Sequence, residues 1–435
     1  GRLTDEWSAM VSYAQADVDN YEDGNGDEML GTEADQEYLF AKVVGHLTDS
    51  QTLRLSYEKR EDEGERSQRP QWRVAGFNPL YPIESERETI TLNYTLNPIN
   101  NPYLDLALTL YDTETEMFQN GRFGPFTGSG ESTGFDLRNT SILGMHNVTY
   151  GVDYREDKTI ADGVSESAKD DSKVKGIYIQ DDIYITDALL LSGGMRYDDY
   201  ELENEFANTQ YREDDVSHNI GLNFHFTENF SAFASYAEAF KGPLAQDAFK
   251  VGFTSNAADL KPEKAENIEF GVAYESISWF GSAKAYRSEI LEVGHRWKSV
   301  MARLSYHYND AEVDGVEANA YDHNGIANTV RDTVIVSMDY QYDPQWNFGW
   351  NARFVKGRDN VESSLGEVDQ PGFGVHDLYV QWTPSTTEDV RIGLALRNVL
   401  DKDYLEHSSV ANYEGILSGY NEPGRDVRLS VAWQF

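Results

Sequence analysis

Imidazole and phenol groups are the side chains of this sequence best suited to coordination chemistry. The chain contains nine His and 27 Tyr but no Cys, which removes disulfides, thiolate metal sites and cysteine catalysis together. A neutral imidazole or a phenolate can ligate iron. Five such residues lie in segments that lack strand patterning, and they are the candidates for ligand binding: His323, His407, Tyr404, Tyr413 and Tyr420. The competing interpretation is that they are solvated loop residues or aromatic anchors at a rim.

Carboxylates dominate the charge of the chain. The 75 Asp and Glu against 36 Lys and Arg give a net charge of −39, which excludes a nucleic-acid binder because such proteins need a basic face. Ca²⁺ is a possible partner, and Asp23–Asp27 is the nearest match to a calcium loop. Glu28 stands where that motif needs Gly, and Ala34 where it needs Glu. We predict no resident cofactor. Arg122 and Lys250 could focus an anionic ligand locally.

Catalytic motifs are not recognisable in the chain. We find no nucleophile elbow, no His-Glu-x-x-His helix and no glycine loop that could cradle phosphate. The sequence therefore favours a protein that binds or transports over an enzyme.

Two-residue alternation defines the elements that must position these residues. Leu104, Leu106, Leu108 and Leu110 share one strand face, and many other segments have the same pattern. The opposite faces carry charged groups such as Arg353, which are costly to bury in a dry core but tolerated in a wet lumen. No apolar run approaches the roughly 18 residues that a membrane helix needs. The pattern is that of a barrel wall with a lipid-facing side and a water-filled side.

Ten short turns alternate with long polar segments. The turns include Thr4–Trp7, Thr48–Gln51 and Thr227–Phe230, and most are about 41 to 50 residues apart, as two strands and one long loop require. The sequence therefore predicts an all-β, transmembrane, antiparallel β-barrel of about 22 strands, about 20 of them complete in this chain. Short turns would face the periplasm and long loops the outside. The predicted long loops are residues 17–37, 62–87, 116–133, 203–216, 309–331 and 402–424.

One interval is too short for this plan. Between Glu275 and Lys298 the spacing is about half the usual value, and Glu289–Glu292 holds no turn residue where a long loop should be. We therefore expect a loop to be missing there. The turn at Thr4–Trp7 likewise has no preceding pair of strands, so the first strands are expected to be absent from the chain.

Several segments resemble the TonB-dependent outer-membrane receptors. Tyr178–Asp182 with Gly193–Asp198 is similar to the mid-barrel hairpin of that family, and Arg397–Tyr404 to the signature of its penultimate strand. Tyr236–Pro243 is similar to the first of two boxes in a long external loop. The individual motif positions are Phe240, Gly242, Pro243, Asn256, Leu260, Pro262, Glu263, Asn398, Asp401, Tyr404 and the terminal aromatic Phe435.

The resemblance implies that residues 1–435 form the barrel of an active importer in the outer membrane of a Gram-negative bacterium. It also implies an N-terminal plug domain, which we expect to be absent from this chain and which would contact the TonB-type energiser in the periplasm. The further implied partners are outer-membrane lipid, lipopolysaccharide and an iron chelate, and the implied barrel is monomeric. Without a plug, a lumen of this width would be open, because side chains cannot fill it.

The transported ligand is open between haem and a ferric siderophore. The sequence around Ala239–Phe249 resembles haem receptors most closely. Those receptors usually place a haem-ligating His between the two boxes. Leu244–Ser255, the corresponding segment here, contains no His. Two other functions stay open on the sequence. A passive porin would have roughly 16 to 18 strands, and a surface-binding adhesin barrel would show no uptake of a ligand.

Overall fold

The computed structural model describes most of the chain and contains one dominant sheet. The residues that it describes are 1–68, 72–121, 124–163, 167–205, 208–245, 261–286, 288–309, 312–313, 316–317, 330, 332–363, 366–384, 390–407, 411–413 and 416–434. Twenty of the strands form a single sheet in which every pairing is antiparallel, and three further hairpins lie in the loops. The predicted all-β barrel with about 20 strands in this chain is confirmed.

The sheet strands follow one another in chain order, so each pairs with its sequence neighbours. Their bounds are β1 Trp7–Val18, β2 Ala34–Thr48, β3 Gln51–Ser67, β4 Leu80–Leu96, β5 Asp105–Gly121, β6 Gly124–Leu143, β7 His146–Asp162, β8 Ser167–Thr186, β9 Leu189–Asn204, β10 Thr209–His225, β11 Phe230–Lys241, β12 Glu263–Glu275, β13 Trp279–Ala285, β14 Ser288–Arg296, β15 Val300–Asn309, β18 Thr333–Gln341, β19 Trp346–Val355, β22 Phe373–Trp382, β23 Val390–Arg397 and β26 Asp426–Trp433. The loop hairpins are β16 Glu312–Val313 with β17 Val316–Glu317, β20 Arg358–Ser363 with β21 Gly366–Gln370, and β24 Ala411–Tyr413 with β25 Ile416–Ser418.

The two faces of the wall differ as the alternation predicts. On β12, Ile268, Phe270 and Val272 expose 67%, 61% and 41% of their surface, as lipid-facing side chains do. Between them, Glu269 faces the other way and forms an ion pair of 2.9 Å with Lys284 of β13. Charged groups are thus paired on the lumen side, while large apolar side chains are left on the outside.

One lumen-side ion-pair network crosses three strands. Arg196 of β9 contacts Asp198 on its own strand at 2.6 Å and Asp153 of β7 at 2.7 Å. The intervening β8 residue is Gly176, where a Cβ would lie 2.0 Å from the Arg196 guanidinium. The missing side chain is therefore what allows Arg196 to bridge β7 and β9.

Two predicted loops are extended hairpins instead. The segment 116–133 consists mostly of β5 and β6, which stay paired as far as Gly121 and Gly124, and most of 203–216 lies in β9 and β10. The prediction of long loops was wrong at these two places, and the loop predicted at 62–87 is shorter than expected because β3 extends to Ser67 and β4 begins at Leu80. Thr, Tyr and Phe in these segments favour strands, and Glu131 lies opposite Lys158, so pairing continues beyond the 9–11 residues that span a bilayer.

The three short turns named above lie where the sequence placed them. Thr48–Gln51, for example, separates β2 from β3, and Thr227–Phe230 separates β10 from β11. At the irregular interval, β13 and β14 connect between Ala285 and Ser288, and Glu289–Glu292 lies inside β14. The segment where a long loop was expected to be missing is therefore strand, and the short β13–β14 connection lies a few residues before it.

The first and last strands each have a single sheet neighbour among the described pairings, β2 for β1 and β23 for β26. Across the turn at Thr4–Trp7, Arg2 pairs with Ser8, and the Gly1 carbonyl accepts a hydrogen bond of 2.9 Å from the Ala9 amide. Turn and pairing together have hairpin geometry. No helix in the described part of the chain has the length and apolar character needed to cross a bilayer.

Candidate functional site

External loops from three parts of the chain enclose a cavity of about 450 Å³. The last loop, between β23 and β26, provides most of the lining, and the β3–β4 and β19–β22 connections provide the rest. The lining residues are Arg73, Gln370, Pro371, Gly372, Lys402, Asp403, Tyr404, Leu405, His407, Gly419 and Asn421. Two of the five iron-ligand candidates, Tyr404 and His407, therefore lie in the same cavity.

His407 is the most constrained of the candidates. Its side chain is 2% exposed, and its Nε2 lies 3.1 Å from the Pro371 carbonyl oxygen, to which it can only donate. Nδ1 is buried and has no hydrogen-bond partner among the described residues. Burial lowers the pKa of the imidazole, and nearby Arg358 and Arg353 act in the same direction. The ring is therefore neutral at pH 7, with its proton on Nε2 and a lone pair on Nδ1.

Aromatic rings fix the position of Tyr404. Its ring lies 4.5 Å from that of Phe373, which also contacts His407 at 6.1 Å. Arg353 stacks on the same Phe373 ring at 5.1 Å and forms an ion pair with Glu406. Burial raises the pKa of the Tyr404 phenol, as does the Glu422 carboxylate. Tyr404 is therefore protonated at pH 7, which makes it a poorer anionic ligand than the sequence suggested.

A compact turn at the start of the last loop carries the cavity-lining segment. Asn398 and Asp401 have φ angles of 44° and 55°, a backbone region that Asn and Asp tolerate better than most residues. The Asn398 side chain accepts a hydrogen bond from the Lys402 amide and donates to the Lys402 and Pro423 carbonyls, at 2.8, 2.8 and 3.1 Å. Asp401 accepts the Arg425 amide at 2.8 Å. These contacts explain why the motif needs Asn398 and Asp401.

The first loop fastens onto the last loop next to the cavity. Asn421 donates to Asp23 at 3.0 Å and to Asp403 at 2.6 Å, and Asn25 donates to Asp403 at 2.6 Å. The Tyr21 hydroxyl donates to the Asn421 carbonyl at 2.7 Å. Because β1 and β26 are not paired in the described sheet, these bonds join the two edges of the sheet on the outer side. We call this set of contacts the loop clasp.

Asp23–Asp27, the segment that resembles a calcium loop, contributes Asp23 and Asn25 to the loop clasp. Both backbone amides of Asn25 and Asp27 donate to the Asp23 carboxylate, at 2.9 and 3.0 Å, so that this carboxylate closes a turn. No group of three or more His, Cys, Asp or Glu in the described residues has the arrangement of a metal site.

The first family box anchors a loop on the inner wall. The Phe240 ring meets Tyr200 edge-on at 5.5 Å, and a Cβ at Gly242 would lie 2.4 Å from the Tyr200 side chain. After the buried Pro243, the chain reaches Ala245, which is fully buried and whose amide donates to Ser172 Oγ at 3.0 Å. Phe240, Gly242 and Pro243 thus seat the start of the long β11–β12 connection inside the barrel.

The remaining predicted positions are separate from the cavity or are not described. Tyr420 lies beside Ser67 and Val74 and does not line the cavity, and burial raises the pKa of its phenol. Tyr413 belongs to β24, and Glu263 begins β12 directly after Pro262. The positions outside the described residues are Arg122, Lys250, Asn256, Leu260, His323 and Phe435.

Sequence reasoning missed several residues that build the cavity. Pro371, Phe373 and Arg353 come from the β19–β22 region, and Arg73 reaches in from the β3–β4 connection, where its Nε donates to the Gly419 carbonyl at 3.0 Å. Packing between loops brings these residues together, and Arg73 and Gly419 are 346 positions apart in the sequence. No local spacing signal could have identified them.

The fold is that of an outer-membrane type of β-barrel whose external loops form a cavity. The family model described as TonB dependent receptor-like, beta-barrel matches residues 4–290 and 291–399. The chain belongs to this family of Gram-negative outer-membrane receptors. The break between the two matched stretches falls inside β14, in the interval whose spacing is irregular.

Two relatives have names that refer to haem. Heme transporter BhuA of Brucella ovis is 22% identical over 454 residues, which cover 96% of this chain and 68% of the relative. Heme/hemopexin utilization protein C of Haemophilus influenzae strain 86-028NP is 27% identical over 432 residues, covering 83% of this chain and 59% of the relative.

Two solved structures with a similar fold have names that refer to iron. The FrpB iron transporter from Neisseria meningitidis, F5-1 variant, superimposes with a TM-score of 0.85 at 18% identity, over 99% of this chain and 78% of that one. The ferric-catecholate import receptor Fiu from E. coli, closed form, gives a TM-score of 0.79 at 14% identity, over 100% of this chain and 78% of that one. At these identities the comparison establishes the fold.

Proposed function

We propose that this protein is the barrel of an outer-membrane receptor that imports an iron-bearing ligand, haem or a ferric siderophore, with energy from the TonB system. The observation that carries the proposal is the family match over most of the chain. The haem-related names of the two relatives and the iron-transporter names of the structural neighbours support an iron-bearing cargo. The barrel's apolar exterior supports a location in the outer membrane, in contact with lipid and lipopolysaccharide.

The chain's own residues recognise the ligand and do no covalent chemistry in this scheme. The cavity beside the loop clasp captures the ligand from outside, and a plug domain that contacts the TonB-type energiser would release it inward. A receptor without catalytic activity agrees with the absence of recognisable catalytic motifs in the sequence. The barrel strands hold the loops in place on a closed wall. Nothing in the family match or the relatives favours a passive porin.

The test is growth on defined iron sources. A strain that lacks the complete gene should fail to grow, or grow markedly more slowly, on ferric haem or on one ferric siderophore as sole iron source, and a plasmid copy should restore growth. Ferrous iron salts, which need no outer-membrane receptor, are the control. Unchanged growth on every iron source would reject the proposal.

A further inference from the structure

An apolar groove runs across the lipid-facing side of six neighbouring strands, from Leu106 of β5 to Val216 of β10. Its volume is about 720 Å³, and five strand spacings of about 4.8 Å give it a length of roughly 24 Å. Two parallel rows of outward side chains border it. The rows are Val152, Ile177 and Tyr197, and, nearer the short turns, Tyr150, Ile179 and Met195. We call this feature the outer groove.

The side of the outer groove that is nearer the short turns carries a polar anchor. Asn139 is buried there, and its amide nitrogen donates to the Tyr103 carbonyl and to the Tyr150 hydroxyl, each at 3.0 Å. The Tyr150 oxygen is therefore an acceptor for Asn139, and its own hydrogen has no acceptor among the described residues. A hydroxyl in this position on a membrane wall needs an acceptor from the lipid, such as an ester or phosphate oxygen.

An ion pair lies still closer to the short turns on the same face. His146, Val148 and Tyr150 alternate along β7, and Asp181 of β8 is opposite Val148, so all four point outward. His146 Nδ1 donates to Asp181 at 2.7 Å, and both side chains are partly accessible. Asp181 has no other ion-pair partner in the described part of the chain. Its carboxylate suits a positively charged group and disfavours an anionic one.

The order of these features along the wall matches the order of groups in a phospholipid. From the short turns towards the middle of the membrane come a carboxylate, a hydroxyl donor and an apolar groove. A head group, an ester linkage and an acyl chain follow one another in the same way. One leaflet of the hydrocarbon core is about 15 Å thick, so the outer groove is long enough for one acyl chain. Because this wall faces lipid, its occupant comes from the bilayer.

We propose that the outer groove is a specific site for a phospholipid with an ammonium-bearing head group, in the leaflet on the short-turn side. One acyl chain lies between the two rows, the Tyr150 hydroxyl donates to an ester or phosphate oxygen, and Asp181 faces the ammonium group. The proposal rests on the proposed outer-membrane location of the barrel. It does not depend on which iron-bearing ligand is imported.

The experiment uses the complete receptor, purified from outer membranes in detergent and stripped of lipid. Native mass spectrometry measures the dissociation constant of the first bound phosphatidylethanolamine or phosphatidylglycerol with the same acyl chains. The wild type should bind phosphatidylethanolamine at least about threefold more tightly, the effect of one partly exposed charge pair. Asp181→Asn should remove this preference. Tyr150→Phe should weaken binding of both lipids roughly two- to tenfold, the effect of one lost hydrogen bond.

A bulky side chain in the outer groove tests the position of the acyl chain. Val152→Trp should weaken the first lipid at least about tenfold, because losing contact with only two methylenes of the chain costs this much. Val272→Trp is the matched control, at an outward position of β12 with nearly the same exposure and outside the outer groove. Tyr274→Phe, also on β12, is the corresponding control for Tyr150→Phe. Both controls should bind lipid as the wild type does.

Each outcome supports or overturns the assignment. Equal wild-type affinity for the two phospholipids would overturn the head group, and equal binding by Val152→Trp and Val272→Trp would overturn the site. Tighter first binding of lipopolysaccharide than of either phospholipid would also overturn it. A receptor that imports iron but selects no lipid would refute this inference alone. A receptor that is not recovered in outer-membrane fractions would refute the proposed location, and lipid selection without iron import would refute the proposed cargo.

Discussion

Histidine and tyrosine respond to burial in opposite ways, and this separates the candidates in the cavity. Burial disfavours the charged form of each group, so it favours the neutral imidazole, which can bind a metal, and opposes the phenolate. The pKa of His407 is lowered and the pKa of Tyr404 is raised. Both side chains are therefore neutral at pH 7, and Tyr404 forms an aromatic part of the cavity wall.

The pH dependence of stability follows from the lowered pKa of His407. The unfolded chain takes up the proton near pH 6.5, before the folded ring does. His407 therefore adds no pH dependence to the free energy of unfolding well above pH 6.5, and it lowers this energy as the pH falls through and below that value. We expect the wild type to lose more stability than His407→Gln between pH 7.5 and about pH 5. Unfolding in detergent at several pH values measures the difference, and parallel curves would contradict the prediction.

Gly242 tests the inner-wall anchor. A methyl group there would meet the Tyr200 side chain at 2.4 Å, too close for small rotations to relieve. Gly242→Ala should reduce the free energy of unfolding by about 1–3 kcal/mol, the usual cost of overpacking, and weaken ligand binding by displacing the start of the β11–β12 connection.

The matched control is Gly221→Ala, where a Cβ would meet Ser235 at an ordinary 3.8 Å. Urea unfolding in lipid vesicles compares the two variants. Equal stability of both would show that the close approach at Gly242 is relieved without cost.

At the scale of single residues, the sequence was enough to select candidate ligand-binding residues but not the residues that contact them. His407 and Tyr404 were recognisable because each lies in a polar segment of a chain without Cys. The Pro371 carbonyl that orients His407 could not be inferred, because a backbone atom of a distant loop leaves no mark in residue spacing.

The loop clasp is the element that connects the first and last loops. Its hydrogen bonds join residues about 400 positions apart, including Tyr21 and Asn421, at the two edges of the described sheet. The same segment of the last loop lines the cavity through Asp403 and Asn421. Opening the loop clasp should therefore loosen the cavity wall without unfolding the barrel.

Gly24→Ala provides the test. A Cβ at Gly24 would lie 2.4 Å from the Asp403 backbone nitrogen, so the first loop must move away. We expect faster amide hydrogen exchange in residues 19–33 and 398–407, and weaker binding of the iron-bearing ligand, while the strands keep their protection. Gly76→Ala, where a Cβ would meet nothing within 4 Å, should leave exchange unchanged. Identical exchange in all three proteins would contradict the role of the loop clasp.

The strands could be predicted wherever apolar residues alternate with polar ones, so that one face is apolar and the other polar. Strand positions and the short turns followed from the apolar face, as in Leu104–Leu110. The error lay in segments such as 116–133, where polar and apolar residues are mixed on both faces and periodicity cannot separate an extended hairpin from a loop. The loop clasp depends on contacts between distant segments and was therefore not predictable.

The whole molecule depends on its apolar exterior. Ile220 of β10 is 53% exposed on the outer face, and its neighbour Asn219 points to the other face. Ile220→Arg should lower the free energy of unfolding in bilayers by about 2–4 kcal/mol, the cost of a cation in the lipid-facing wall. Asn219→Arg, on the wet side, should cost much less. Folding titrations in lipid vesicles measure both, and equal costs would contradict the assignment of the faces.

The most direct test of active import is uptake of iron-55 from ferric haem and from ferric siderophores by living cells. Cells that carry the complete gene should accumulate iron from one of these ligands. Cells without the gene, and cells that carry it but lack TonB, should not. Accumulation that persists without TonB would indicate passive passage, and no gene-dependent accumulation from any ligand would contradict the account.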